Sequence, residues 1–244
     1  MRLMGFAEKL CAAAQGKGTG SFSTSQEARQ VARLLNGRTA ALALDIGGNV
    51  GNYSAALRKI YPHIEIRIFE PAVVNVAALR SRFSGDPSIV IEACAVSDTA
   101  GQATLFSDSP GSGLASLTQR RLSHVNISLD MAAEVRTIRF EDYYKAELEG
   151  RLIDIAKLDI EGYELSALRG FGKAIEYTRI VQFEFGGCNI DTRTFFQDFW
   201  YFFRAHNFEL FRITPLGIEP LRKYSEMDEC FRTTNFIARN RGLA

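Results

Sequence analysis

Acidic residues stand at or just beyond the ends of four apolar runs in this 244-residue chain, and each could do chemistry. The run Ala40–Leu44 leads into Asp45, followed by Gly47, Gly48, Asn49 and Gly51, a stretch of backbone that must bend sharply and approach something closely. "IEIRIFE" closes on Glu70, 23 residues after Gly47. "LIDIAKLDIEG" carries Asp159 and Glu161, and "RIVQFEF" carries Glu184.

The spacing of the first two excludes the commoner glycine-loop ligands. A phosphate-cradling loop needs a lysine followed by serine or threonine, and residues 47 to 54 contain no lysine. A dinucleotide fingerprint begun at Gly47 fails at Asn49 and Asn52; begun at Gly48 it fails at Val50 and Tyr53. An acid at the strand end suits a ligand with an ammonium group. A carboxylate at position 70 can accept both hydroxyls of a ribose without welcoming a 2′-phosphate. Ribose, an amino-acid moiety and no phosphate together describe S-adenosylmethionine. In that reading the backbone amides of Gly47, Gly48, Asn49 and Gly51 meet the ligand's carboxylate, and Asp45 orients the loop or meets the ammonium group. Glu70 takes the ribose, Pro71 lies against the adenine, and Ala95 and Val96 wall it, with Ser97 or Asp98 facing its amine or serving only as a turn.

Asp159 and Glu161, spaced two apart at a strand end, face the same way, and Glu184 joins them from the next strand. As a general base, Glu161 would take a proton from an acceptor hydroxyl, with Asp159 touching acceptor or cofactor. As hard oxygen ligands, the three acids would hold a divalent metal, the less favoured alternative. The bland reading makes Glu161 a helix cap and Glu164 a compensator of the helix dipole.

Strands must carry these acids to one rim, and the chain alternates strand and helix. Strands are predicted at 40–45, 64–70, 89–97, 103–107, 134–140, 152–160, 179–185, 208–213 and 233–239. Helices are predicted at 25–36, 52–60, 73–83, 163–170 and 192–205. That order predicts a three-layer, Rossmann-like α/β sandwich, mostly parallel, with the last two strands pairing antiparallel. The segment "AAAQGKGTGSFS" reads as a joint, so residues 1–38 form a helical extension and 39–244 the domain proper. The polar loop "SDSPGSGLASLTQRRLSH" reads as a lid or a solvated excursion; its Arg120 and Arg121 could hold an anionic or hydroxylated substrate. "TRTFFQDFWYFFRAHNFELF" supplies core aromatics, with a pocket wall or homodimer contact as the minor reading.

Net charge is +1 with 23% charged residues, which gives no reason to expect nucleic acid or an anionic membrane as partner. The four cysteines have no paired spacing, against a zinc site or a disulfide framework. No apolar run approaches a membrane span, and Glu8 and Lys9 interrupt the first apolar residues, so a cytoplasmic protein is expected.

Four stretches, "LDIGGNVGNYS", "IFEPA", "AVSDTAG" and "KLDIEGYELSALRG", resemble the FkbM family of S-adenosylmethionine-dependent methyltransferases, within the class I methyltransferase fold. The resemblance covers residues 40 to 186, with "NFIAR" closing the sheet. It implies a seven-stranded sheet whose last strand is antiparallel, and methylation of a hydroxyl on a sugar, glycan or secondary metabolite. Gly48 departs from the family, where alanine is usual, and the smaller residue should leave cofactor binding intact. The fold alone leaves an N- or carboxylate methyltransferase, or a non-catalytic cofactor-binding protein, as alternatives.

Overall fold

The computed structural model describes residues 2–18 and 24–244. The helices are α1 (Arg2–Ala14), α2 (Thr24–Leu34), α3 (Asn52–Ile60), α4 (Val73–Arg82), α5 (Phe140–Glu147), α6 (Glu164–Gly170), α7 (Cys188–Thr192) and α8 (Phe196–Ala205). The strands are β1 (Leu42–Ile46), β2 (Glu65–Phe69), β3 (Ile89–Glu92), β4 (Ala95–Ser97), β5 (Gly101–Ser107), β6 (Met131–Arg139), β7 (Ile153–Leu158), β8 (Thr178–Phe185), β9 (Phe208–Thr214), β10 (Gly217–Leu221) and β11 (Thr234–Asn240). Part of the expected joint, residues 19–23, lies outside the described residues.

The main sheet runs β10-β9-β11-β8-β7-β1-β2-β3. Its central strands pair in parallel, and β11 inserts antiparallel between β8 and β9. The fold is therefore the expected Rossmann-like α/β sandwich, with the last strand reversed. The sheet has eight strands because β10 folds back antiparallel on β9 as an edge. Pro220 in β10 is tolerated at such an edge, where one side of the strand needs no partner.

The expected strand 89–97 is two strands in two sheets. Between them the Cys94 amide turns back to the Glu92 carbonyl at 2.9 Å, and β4 leaves to pair with β6. β4, β6 and β5 form a separate three-stranded sheet, from which the 108–130 loop projects.

Both faces of the main sheet are covered, so all five residues of β1 are buried. On one face Leu42, Leu44 and Ile46 join Phe140, Leu168, Phe199 and other side chains of α5, α6 and α8. On the other, Ala43 joins Val31, Leu57 and Leu79 of α2, α3 and α4. The aromatic run becomes α8, where Phe196, Phe199, Trp200 and Phe203 are buried. Phe183 stacks on Phe199 with ring centroids 4.9 Å apart, so this helix is core against the sheet. Tyr201 and Phe195 remain exposed.

Candidate active site

Three successive rows of side chains cross the centre of the sheet on the α2–α3 face. The first, Ala43, Ile155 and Ile180, is apolar, in register across β1, β7 and β8. Two residues on, Asp45, Lys157 and Gln182 stand side by side. Two further on, just past the paired register, Asp159 and Glu184 reach the carboxyl rim, with the backbone of Gly47 beside them. Sheets of this kind bind ligands beyond these strand ends, and the rim opens into a cavity of about 510 Å³.

Asp45 is fully buried. The Ser54 hydroxyl of α3 donates to its Oδ2 at 2.6 Å, while Oδ1 has no hydrogen-bond partner. A buried carboxylate oxygen left over beside a cavity fits a ligand that brings a donor. Burial raises the Asp45 carboxyl; Lys157 and the Ser54 hydrogen bonds oppose the rise.

The loop does not work as the sequence reading expects. The amides of Gly47 and Gly48 donate to the Phe69 carbonyl (2.9 and 3.2 Å), Asn49 to Glu70 Oε2 (2.8 Å), and Gly51 to the Gly48 carbonyl (2.8 Å). These four are already engaged. The amides of Asn52 and Tyr53 in the first turn of α3 have no carbonyl to bond within the helix, and Gly51 gives no side-chain cap. Both residues line the cavity, so an anionic group is better met there than at the loop.

The glycines serve close packing. Gly47 has φ +83, and a Cβ on it would run into the Asp159 carbonyl. Gly51 has φ +80, backs onto Leu79 and Phe83, and does not line the cavity. A Cβ on Gly48 would strike Ile68 Cγ2, which explains glycine here: Ile68 already occupies that space.

Glu70 lines the cavity and accepts from the amides of Asn49 (2.8 Å) and Ala72 (2.9 Å) and from Asn75 Nδ2 (3.3 Å). Two carboxylate oxygens offer about four acceptor sites, so roughly one remains for a ligand. Pro71, Ala95 and Val96 also line the cavity, whereas Ser97 and Asp98 do not. Ser97 packs beneath α6, where its carbonyl leaves no room for a side chain at Gly170.

At the far end of the cavity stand Asp159, Glu161 and Glu184, each offering an oxygen within 4.8 Å of the others'. Strand alternation does not bring Asp159 and Glu161 together, because β7 ends at Leu158. Glu161 instead sits in a turn at φ +54, a conformation costing a non-glycine residue on the order of 1–2 kcal/mol. That turn is held by Glu164, whose Oε1 accepts from the amides of Ile160 (3.0 Å) and Gly162 (3.2 Å). No side chain caps α6; Glu164, its first residue, braces the preceding turn, and Glu161 pairs with Arg120 of the loop.

Burial pushes the Glu161 carboxyl up to about 7, although Arg120 pulls the other way. Burial, reinforced by Asp159 and Glu161, holds Glu184 well above the usual carboxylate range.

Lys157 is the residue the sequence reading misses. Its Nζ donates to Asp159 Oδ2 at 2.8 Å and lies 5.0 Å from the centre of the Tyr53 ring. Burial alone would lower this amine; Asp159, Asp45 and Glu27 outweigh it and hold it above the ordinary lysine value. Glu27 of α2 reaches the same row, accepting from Gln182 Nε2 at 2.9 Å, while Tyr53 donates to Gln182 Oε1 at 2.9 Å. The signal was present: a lysine inside the apolar run "LIDIAKLDI".

The 108–130 loop contributes Ser112–Leu117 and Arg120 to the cavity wall. The Ser116 hydroxyl donates to the Glu161 carbonyl at 2.9 Å, and the Phe106 and Ser116 backbones exchange two hydrogen bonds. This part of the loop forms one wall of the cavity.

The family described as "Methyltransferase FkbM domain" matches residues 45–210. No match was found among curated protein sequences. Solved structures similar to this chain include three methyltransferases. Precorrin-6y C5,15-methyltransferase from Geobacter metallireducens is 8% identical, with 87% of this chain and 85% of that chain covered and a TM-score of 0.45. Magnesium protoporphyrin IX methyltransferase from Synechocystis, with bound SAM, is 12% identical over 88% and 79%, at 0.46. The plantazolicin methyltransferase in complex with SAH is 9% identical over 91% and 84%, at 0.48.

Proposed function

The chain belongs to the FkbM methyltransferase family, and from that premise we propose that it transfers a methyl group from S-adenosylmethionine to a hydroxyl oxygen of a sugar, glycan or secondary metabolite. One observation carries this reading. A single cavity is lined both by Asp45, the start of α3, Glu70 and Val96, which suit a methyl donor, and by Glu161, which suits a proton acceptor.

When bound, S-adenosylmethionine supplies a methyl group already activated on a sulfonium, so the protein's task is mainly positioning. The unpartnered Asp45 Oδ1 and the amides of Asn52 and Tyr53 suit a ligand's ammonium and carboxylate. The remaining acceptor site of Glu70 suits a ribose hydroxyl, beside Pro71, Ala95 and Val96. Glu161 accepts the acceptor's hydroxyl proton as that oxygen takes the methyl group. Its carboxyl at about 7 is matched to this work near neutral pH. Lys157 fixes Asp159 at the rim, and the 112–117 segment excludes water.

The test is transfer from donor carrying a ¹³C-labelled methyl to a panel of polyhydroxylated acceptors, read by carbon NMR. Label in the methoxy region supports the reading. Label on nitrogen or in a methyl ester replaces it with N- or carboxylate methylation, and binding of donor without transfer to any class leaves a cofactor-binding protein.

Glu70→Ala should weaken binding of the demethylated product, S-adenosylhomocysteine, by roughly 2–4 kcal/mol in calorimetry. It removes a charged acceptor and strands the Asn49 amide, which donates to it at 2.8 Å. Unchanged affinity would remove Glu70 from the donor site.

A further inference from the structure

Beside the active-site cavity lies a second, shallower one of about 580 Å³, formed where the 108–130 loop turns back, and Arg120 lines both. The Arg120 side chain is 9% exposed. One of its terminal nitrogens pairs with Glu161, yet its buried Nε has no hydrogen-bond partner, although it lies 3.8 Å from Asp191 Oδ2. A buried guanidinium donor without an acceptor is costly and points to a ligand oxygen.

Arg121 lines the second cavity beside it. Its backbone amide donates to Asp191 at 3.3 Å, but its guanidinium forms no hydrogen bond or ion pair among the described residues. Ser123 and Asn126 add polar side chains, and Ser128 is already committed to Asp130 at 2.6 Å. Asp130 accepts from Ser128, and Asp191 accepts from the Arg121 amide and pairs with Arg120, so among the described residues no carboxylate pairs with the exposed Arg121 guanidinium and neither acid lines this cavity.

Resting on the methyl-transfer reading of the neighbouring cavity, we propose that this second cavity binds an anionic group, carboxylate or phosphate, on the methyl acceptor. Arg121 is its charge partner, with Ser123 and Asn126 as further hydrogen-bonding groups. Arg120 bridges that group to the reacting hydroxyl at Glu161, so the acceptor is a hydroxylated acid or a phosphorylated alcohol, not a neutral polyol. The fork of an arginine suits either planar carboxylate or phosphate oxygens.

The test titrates inorganic phosphate and, separately, acetate into the protein, with and without saturating S-adenosylhomocysteine, following backbone amide signals of residues 121–128 by NMR. Saturable shifts are expected with at least one anion: phosphate alone assigns a phosphorylated acceptor, acetate alone a carboxylated one. Arg121→Gln should weaken that anion about tenfold or more while leaving S-adenosylhomocysteine affinity unchanged, because Arg121 does not line the donor cavity. No saturable shift with either anion, or equal affinity in the variant, overturns the proposal. Failure of S-adenosylhomocysteine to bind the native protein would instead defeat the donor assignment, and the titration without it still decides the anion site.

Discussion

Gly47→Val is expected to abolish measurable binding of S-adenosylhomocysteine, a loss of at least about a hundredfold, in a protein that stays folded. Most of the core is far from the change, but the loop at the end of β1 cannot absorb a side chain. At φ +83 a β-branched residue is strained by roughly 1–3 kcal/mol. Its Cβ would also enter the Asp159 carbonyl, at the place where the Asp159 amide bonds to Ile46 at 3.0 Å. The ends of β1 and β7 must part, carrying Asp45 away from α3 and Asp159 away from Lys157. Because a hundredfold is about 2.7 kcal/mol, strain and displacement together are enough. Circular dichroism establishes folding and calorimetry reads affinity; Gly47→Ala, with the same clash and a smaller side chain, serves if valine unfolds the protein. Binding within threefold of native by either variant would show that the donor does not lie against this loop.

Glu161→Gln is expected to keep S-adenosylhomocysteine affinity and lower turnover by roughly a hundredfold or more. The amide is nearly isosteric and can still meet Arg120, but it cannot take the hydroxyl proton. The turn at Glu161 should survive, since Glu164 holds it. A base works ionised, so native kcat/KM should climb as pH rises through about 7, where burial has placed this carboxyl. The variant's profile should be flat across the same range. Chelator should leave the native rate unchanged. If chelator abolishes activity and Mg²⁺ or Ca²⁺ restores it, Asp159, Glu161 and Glu184 hold a metal. If neither chelator nor substitution matters, catalysis is positioning alone.

The strands around the site were legible because β1, β2, β7 and β8 are apolar runs, each closing at or near an acid. The same acids named the rim. What the sequence hid follows from partners distant in the chain. Lys157 becomes informative only when register sets it beside Asp45 and Gln182, with Glu27 arriving from α2. The loop amides looked available because nothing in the sequence says that the Phe69 carbonyl and Glu70 already accept them. Glu161 leaves the strand pattern through its own left-handed conformation, which period-two reasoning cannot anticipate, and pairs with Arg120 while Glu164 holds the turn. β10 was missed because Gly217 and Pro220 read as loop, and α5 because "FEDYYKAE" follows β6 without a break.

The central claim, that the cavity above β1 and β2 is a methyl-donor site, is tested most directly by calorimetric titration of S-adenosylhomocysteine into the native protein. One saturable site per chain, competed by S-adenosylmethionine and not by NAD or ATP, is the predicted result. No heat of binding for either methyl-donor compound, or tighter binding of NAD or ATP, would contradict it.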